Sequence, residues 1–403
     1  MSGDIKEGSA ALPSKWPGSG GLQSKSEVVE RGHPVWAEID LAAIRHNVGL
    51  LRAAAPGAEV VGVVKGYAYG HGNPASAVAM LEGGATRLGV ARVAEALHLR
   101  EAGIGAPIHV FTEPPPEAAG MMLALELVPT VYTPAFADAL SDAAVAAKRV
   151  VPVHLKLDTG MHRVGVVADD VSDVVRRLRA LPGIDIEGAW SHFAVADVID
   201  HPATRKQLDL FMDLVEEIER GGSVLRYKHI ANSAATLSMP ESHFDLVRCG
   251  VASFGLLPGR DFAGTDLRPA LALKARVNMV KRLPAGEALS YGLTYELEHT
   301  SGVVTVPAGY ADGYDRRLSG TADVLINGAR HRVSGSVCMD QFLVDVGRAE
   351  VEVGATATLI GADGGDRITA EELADHVGTI NYEITTRVPS RVPRLYLNEG
   401  PRG

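Results

Sequence analysis

The chain has 403 residues, enough at about 100–200 per domain for two or three domains with cores of their own. Hydrophobic residues make up 46% and charged ones 22%, an ordinary globular balance that excludes a disordered or fibrous chain. The net charge is −10, with 39 Lys and Arg against 49 Asp and Glu and no basic block, so neither nucleic acid nor an anionic membrane is an expected partner.

The longest stretch without a charged residue, Gly66 to Leu81, holds Gly, His, Asn and Pro and falls short of the ~20 apolar residues of a membrane span. Cys249 and Cys338 are too few for a disulfide framework and fit a reducing cytoplasm. The first residues lack the apolar segment of a signal peptide. Residues 1–32 read as a mobile Gly/Ser/Lys tail.

From Pro34 onward, short β-branched runs alternate with stretches of helical period, the pattern of a parallel sheet with crossover helices. Trp36 to Ile39 reads as a strand that could pair with either domain. Eight runs follow: Val60–Val64, Leu88–Val93, Ile108–Phe111, Val128–Tyr132, Val151–Leu157, Ile184–His192, Tyr227–Ala231 and Leu246–Ala252. Between two of them Leu208, Phe211, Met212, Val215 and Ile218 recur at helical spacing, and Gly221 stops the helix. Eight strands with helices in most gaps predict a (β/α)8 barrel over 33–269. An open doubly wound sheet usually carries GxGxxG after its first strand, which is missing here. Over 270–403 the runs shorten and alternate, at Leu271–Val280, Val303–Pro307, Val324–Val333, Phe342–Val346 and Ala357–Ile360, which predicts a mostly β domain. Asn327-Gly328 marks a hairpin and Thr369–Val377 a single helix.

Active sites of such barrels form at the carboxyl ends of the strands. Polar residues gather at five of these ends: Lys65, then Lys156 and Asp158 with Arg163 just beyond, His192, Asn232 with Ser233, and Arg248. A lysine leaving an apolar strand is desolvated, which favours the neutral amine that forms a Schiff base. Three glycines in KGYAYGHG, residues 65–72, let the backbone approach a ligand, and Tyr69 can donate to an anion there. Arg248 with Cys249-Gly250-Val251 adds a fixed cation beside free backbone N–H groups, and Ser233 adds a hydroxyl. His154, His162 and His229 lack HxH or HExxH spacing and read as hydrogen-bonded structural histidines, with no metal expected.

These residues lie within motifs that resemble the pyridoxal-phosphate-dependent alanine racemases: KGYAYGHG, HLKLDTGMHRVG (154–165), SHFAVAD (191–197), ANSAA (231–235), LVRCGVA (246–252), LSYGLTY (289–295), PAGYADG (307–313), CMDQ (338–341) and TINYE (379–383). The resemblance runs from about Val35 to Tyr396 and implies a homodimer with shared sites that interconverts L- and D-alanine in the cytoplasm, supplying D-alanine for peptidoglycan. By that resemblance Lys65 binds the cofactor and acts as one base, and Tyr291, from the partner subunit, acts as the other. His192 links that tyrosine to Arg248, which faces the pyridine nitrogen. Tyr69, Ser233, Gly250 and Val251 match phosphate ligands, with Asn232 beside them. Arg163 and the backbone at Met339 match the substrate-carboxylate site, and Lys156 the position of a carbamylated lysine.

Departures from the family pattern cluster at the gate. Gly66-Tyr67 follows Lys65 where the family usually reads Ala then Asp or Asn. Ser336 stands where Arg is usual before CMDQ, an arginine of the entryway with Asp197 and Arg316, and its absence leaves Asp197 a partner short; Ser390 precedes the final RVPR where some members carry Tyr. These changes bear on substrate breadth, so a racemase acting on serine or basic amino acids is an alternative. Two others are a non-catalytic pyridoxal-phosphate-binding protein, which would lack the β domain, and a cofactor-free Schiff-base aldolase.

Overall fold

In the computed structural model, which describes residues 27–28 and 31–399, eight parallel strands follow one another around a barrel in sequence order. They are β2 (Glu59–Val63), β3 (Arg87–Val90), β4 (Ile108–Val110), β5 (Val128–Val131), β6 (Val151–Lys156), β7 (Ile184–Trp190), β8 (Tyr227–His229) and β9 (Leu246–Cys249), preceded by β1 (Val35–Asp40). β9 pairs with β2, and the ring closes between β8 and β9 through Arg248 N–H to Ala231 C=O at 3.0 Å and Asp245 N–H to Lys228 C=O at 3.1 Å. All eight expected runs are strands of this barrel, each ending within a few residues of its apolar stretch. The crossover helix predicted from its spacing spans Pro202–Arg220, starts at Pro202 with the His201 ring as cap, and buries Leu208, Phe211, Val215 and Ile218. Met212, assigned to that face, is instead 44% exposed, and Leu214 takes the inward place.

β1 does not join the barrel. It pairs antiparallel with β10 (Leu271–Arg276) and parallel with the last strand, Arg394–Leu397, so the chain enters the second domain before it builds the first. Asp40 ends β1 and caps the helix Leu41–Ala54, its carboxylate accepting from the N–H groups of Ala42 and Ala43, and this turn carries the chain back to the barrel. The second domain holds a sheet through Asp323–Ile326, Ala329–Arg332 and Thr356–Asp363, a three-stranded sheet through Ser301–Val306, and the expected hairpin at Asn327-Gly328. The run expected over Leu271–Val280 breaks at Val277-Asn278 into two strands that serve different sheets. Besides Ala370–Val377, a second short helix, Asn381–Thr386, was not foreseen.

One continuous apolar cluster passes through both domains, from Ile44 and Val64 to Leu273 and Val324. Most of the tail expected at 1–32 lies outside the described residues. Val28 is buried against Trp36 and Leu395, so packing begins earlier than the composition indicates.

Candidate active site

Lys65 stands directly after β2, and the four residues that follow it run left-handed, with φ of 62°, 54°, 56° and 52° from Gly66 to Tyr69. Such a turn costs roughly 1–2 kcal/mol for each residue with a Cβ, so its surroundings must hold it. Glu95 accepts from the Gly66 N–H at 2.7 Å and also from those of Ala91 and Arg92, tying the turn to the end of β3. At its far end Arg394 donates twice to the Gly70 carbonyl. Gly70 itself, at φ 85°, lies so close to Thr385 that a Cβ would sit 1.9 Å from its carbonyl oxygen. The β domain thus clamps the loop that carries Lys65. Burial lowers the Lys65 pKa, Arg163 and Arg248 lower it further, and Glu95 opposes them.

Arg248 is 4% exposed and donates through its two terminal nitrogens to His229 Nδ1 (3.0 Å), His192 Nδ1 (2.9 Å) and the carbonyls of Ser191 (2.8 Å) and Ile230 (3.1 Å). Among the described residues it makes no ion pair. Burial pulls its pKa down to about 9, which leaves it protonated at neutral pH. Because a guanidinium only donates, His192 Nδ1 must accept, and its remaining proton sits on Nε2. Burial and the positive charges of Arg248, Arg163 and Lys65 hold that imidazole neutral, well below its ordinary pKa.

Lys156, two residues beyond His154 on the inward face of β6, is 3% exposed; it donates to Leu157 C=O at 2.6 Å and lies 5.0 Å from the Trp190 ring. Burial first, then Arg248, brings its pKa down to about 7. The Asp158 carboxylate accepts from the N–H groups of Gly160, Met161 and His162 and so folds the loop that carries the exposed Arg163. His162, one of the three histidines read as structural, bonds Asp158 in turn.

A small polar cradle adjoins these groups. Ser233 Oγ accepts from the N–H of Gly250 at 3.0 Å and that of Ala252 at 3.4 Å. The Tyr69 hydroxyl lies against Gly250, where a Cβ would come within 2.4 Å of it. Val251 opens the one-turn helix Val251–Phe254, so its N–H has no intrahelical acceptor. Asn232 stands beside this cradle, next to Ser233: its Oδ1 accepts from Ala235 N–H and caps the helix Ser233–Ser238.

Tyr291, Met339 and Tyr310 lie elsewhere, on the β domain, exposed by 73%, 54% and 44%. Among the described residues no hydrogen bond or ion pair joins them to Lys65, His192 or Arg248. Ser336 Oγ donates to the Tyr291 carbonyl, and Arg391 pairs with Asp312 at 3.0 Å and Asp340 at 2.8 Å. Sequence reasoning missed Glu95, Arg394, Trp190 and the place of Tyr382, whose ring lies 6.2 Å from that of Tyr69. Tyr382 and Arg394 stood inside quoted motifs, TINYE and RVPR, but nothing in the spacing of Arg394, Glu95 or Trp190 ties them to Lys65.

Models of the alanine racemase N-terminal and C-terminal domains match residues 39–258 and 270–396. An alanine racemase of Carboxydothermus hydrogenoformans is 43% identical over 367 residues, 90% of this chain and 100% of that one. The crystal structure of alanine racemase from a D-cycloserine-producing Streptomyces lavendulae superimposes with a TM-score of 0.88 at 42% identity, covering 91% of this chain and 98% of that one. A histidine racemase of Leuconostoc mesenteroides, at 28% identity over 91% of this chain and 99% of that one, has a TM-score of 0.84. Both matched domains lie where the barrel and the β sheets were found, and with near-complete mutual coverage at this identity the chain belongs to the alanine racemase family of isomerases.

Proposed function

We propose that this chain interconverts L- and D-alanine with pyridoxal phosphate, by two bases drawn from two subunits. The observation that carries the reading is the Arg248–His192 pair, a buried, fixed cation at the barrel mouth, together with a Lys65 amine whose pKa is lowered by burial first, then by Arg163 and Arg248. The residues fit the cofactor. Ser233, Tyr69 and the N–H groups of Gly250 and Val251 would hold its phosphate, and Gly250 has no space for a side chain. Arg248 would meet its ring nitrogen, and Lys65 would bind its carbonyl carbon. Once bound, the cofactor supplies an electron sink for the bond between the substrate's α-carbon and its hydrogen. A guanidinium keeps its proton and donates a hydrogen bond only, which keeps that sink weak and disfavours transamination.

Racemisation needs a proton removed from one face of the α-carbon and delivered to the other. Lys65, with its lowered pKa, serves one face. Tyr291 is exposed and, among the described residues, has no hydrogen bond or ion pair to the Lys65 cluster of its own chain, which supports a homodimer in which the partner subunit's Tyr291 serves the other. His192, with its proton on Nε2, would donate it in a hydrogen bond to that phenol. Arg163 would bind the substrate carboxylate, together with the backbone at the partner subunit's Met339. Lys156, neutral to a large extent at pH 7, would add CO2 through its amine and release a proton, giving a carbamate that faces Arg163. A 13C signal from labelled bicarbonate, lost in Lys156→Ala, tests this.

No described helix is long and apolar enough to cross a membrane, which accords with a cytoplasmic enzyme that supplies D-alanine for the cell wall. A broader substrate range is the second reading. Ser336 in place of a gate arginine, with Asp197 outside any ion pair among the described residues, favours it. A chiral assay of the protein with pyridoxal phosphate and L- or D-alanine, serine, lysine and arginine tests both. Rapid interconversion of alanine alone supports the first reading and comparable rates on a larger amino acid the second; no racemisation of any of them defeats both.

A further inference from the structure

Beneath Arg248, inside the barrel, lies a file of buried groups that the chemistry above does not use. His229 accepts from Arg248 at Nδ1, and its Nε2 is 2.8 Å from His154 Nδ1. His154 Nε2 in turn lies 3.8 Å from Glu187 Oε2 on β7, and has no hydrogen-bond partner closer. Both imidazoles are 1% exposed, whereas the Glu187 side chain is 19% exposed. His109 stands edge-on to His154 with ring centroids 4.9 Å apart, and Tyr227 stacks on it at 5.8 Å.

The proton positions along this file are dictated from both ends. Arg248 can only donate, so His229 Nδ1 is bare and its proton is on Nε2, pointing at His154 Nδ1. His154 must then carry its own proton on Nε2, facing Glu187. A carboxylate can only accept, so the far end demands the same arrangement. A second proton on either ring would set N–H against N–H. Both rings are held neutral chiefly by burial, with Arg248 and Arg87 adding to it and Glu187 opposing at His154. Around Glu187 the other charged groups are Arg226, 3.6 Å away, and Arg87, which bonds the Tyr227 hydroxyl at 2.5 Å and pairs with Glu59.

We propose that His154 and Glu187 are positioning residues for Arg248: the file fixes the tautomer of His229, aims the guanidinium into the site, and places at its far end the countercharge that Arg248 lacks among its own contacts. The inference rests on the reading that Arg248 faces the cofactor ring. A purely structural role would instead tolerate any well-packed replacement.

Two measurements test it. In the cofactor-free protein labelled with 15N-histidine, the ring signals of His229 and His154, assigned through His154→Gln and His229→Gln, should show neutral rings protonated at Nε2. An Nδ1-protonated or doubly protonated ring at either position at neutral pH overturns the file. In the holoenzyme, Glu187→Gln keeps shape and an acceptor oxygen but loses the charge. It should lower kcat about tenfold to a hundredfold, as loss of a group that orients a site residue from the outer shell does elsewhere. KM and melting temperature should hold, the visible band of the bound cofactor should shift, and Glu187→Asp should recover most of the rate. An unchanged kcat and band, or equal loss in both variants together with a fall in melting temperature, overturns the proposal. Because the ring signals need neither cofactor nor turnover, the expected tautomers in a chain inactive as a racemase would defeat the functional reading and leave the file standing.

Discussion

The barrel mouth and the Tyr291 face of the β domain carry the residues of one proposed site but treat them in opposite ways. At the mouth, Arg248, Lys156 and Ser233 are each under 5% exposed, and backbone carbonyls, imidazoles or N–H groups fix their positions. On the β domain, Tyr291 and Met339 are more than half exposed, and their backbone carbonyls accept from the Ser336 hydroxyl and the Ala311 N–H. Groups that must keep a perturbed charge state are buried, because burial itself supplies the perturbation. Groups on the other face lie open to solvent, and in the proposed homodimer a second copy of the chain would meet them by symmetry.

The sharpest way to break that contrast is to disable one region at a time. Lys65→Ala and Tyr291→Phe should each cost at least about 10³-fold in alanine racemisation. With the phenol gone, exchange of the α-hydrogen with solvent should fall more for one enantiomer than for the other. Co-expressed, the two inactive variants should regain about a quarter of wild-type activity, since half of a random mixture is hybrid dimers and each hybrid has one intact site. Activity no higher than that of either variant alone would place Tyr291 in its own subunit's site.

Much of the mouth was legible in the sequence because chemistry-bearing side chains stand at strand ends, where apolar runs point to them. Lys65, Lys156, His192 and Arg248 all occupy the places so read. Support from a distance was not legible. Glu95 reaches Gly66 from the next βα unit, and Arg394 reaches Gly70 from the other end of the chain. Neither separation has a periodicity to reveal it. The pairing of β1 was open for a similar reason: an edge of alternating residues fits either sheet, and the partners β10 and Arg394–Leu397 exist only once the chain has folded back.

The next effect tests that long-range support. Gly70→Ala adds a Cβ against the Thr385 carbonyl at a positive φ, and should cost about 3 kcal/mol or more of stability and weaken pyridoxal phosphate binding by loosening the Lys65 turn. Chemical denaturation and cofactor titration measure the two losses. A stable variant with normal binding would mean that the β domain does not hold the loop.

A smaller effect separates the regions by pH. His109, His192 and His229 have pKa values pushed well below the usual imidazole value by burial, and His71 lies at about 3. Above about pH 6.5 they are neutral folded or unfolded and favour neither state. Below it the unfolded chain takes up protons that the folded barrel refuses, so each group removes up to about 1.4 kcal/mol per pH unit. Melting temperature should therefore fall as pH drops from about 6.5 to 5, and His109→Phe should flatten the slope. A slope the same in variant and wild type would mean that His109 is protonated inside the barrel.

The smallest effect lies at the gate, on the exposed side of the contrast. Ser336→Arg restores the side chain usual before CMDQ at a position whose hydroxyl now bonds the Tyr291 carbonyl. A guanidinium there would stand near the solvent-facing phenol of Tyr291. It would narrow the opening without touching Lys65 or Arg248. Exposed charge contacts are worth at most about 1 kcal/mol, so the change should be several-fold and confined to kcat/KM for serine, lysine and arginine, with alanine nearly unaffected. Equal ratios across the panel before and after the substitution would show that the missing arginine does not set substrate breadth. A matching loss with alanine would instead mean that Ser336 holds Tyr291 in place through that hydrogen bond, giving the exposed face an anchoring the mouth was thought to monopolise.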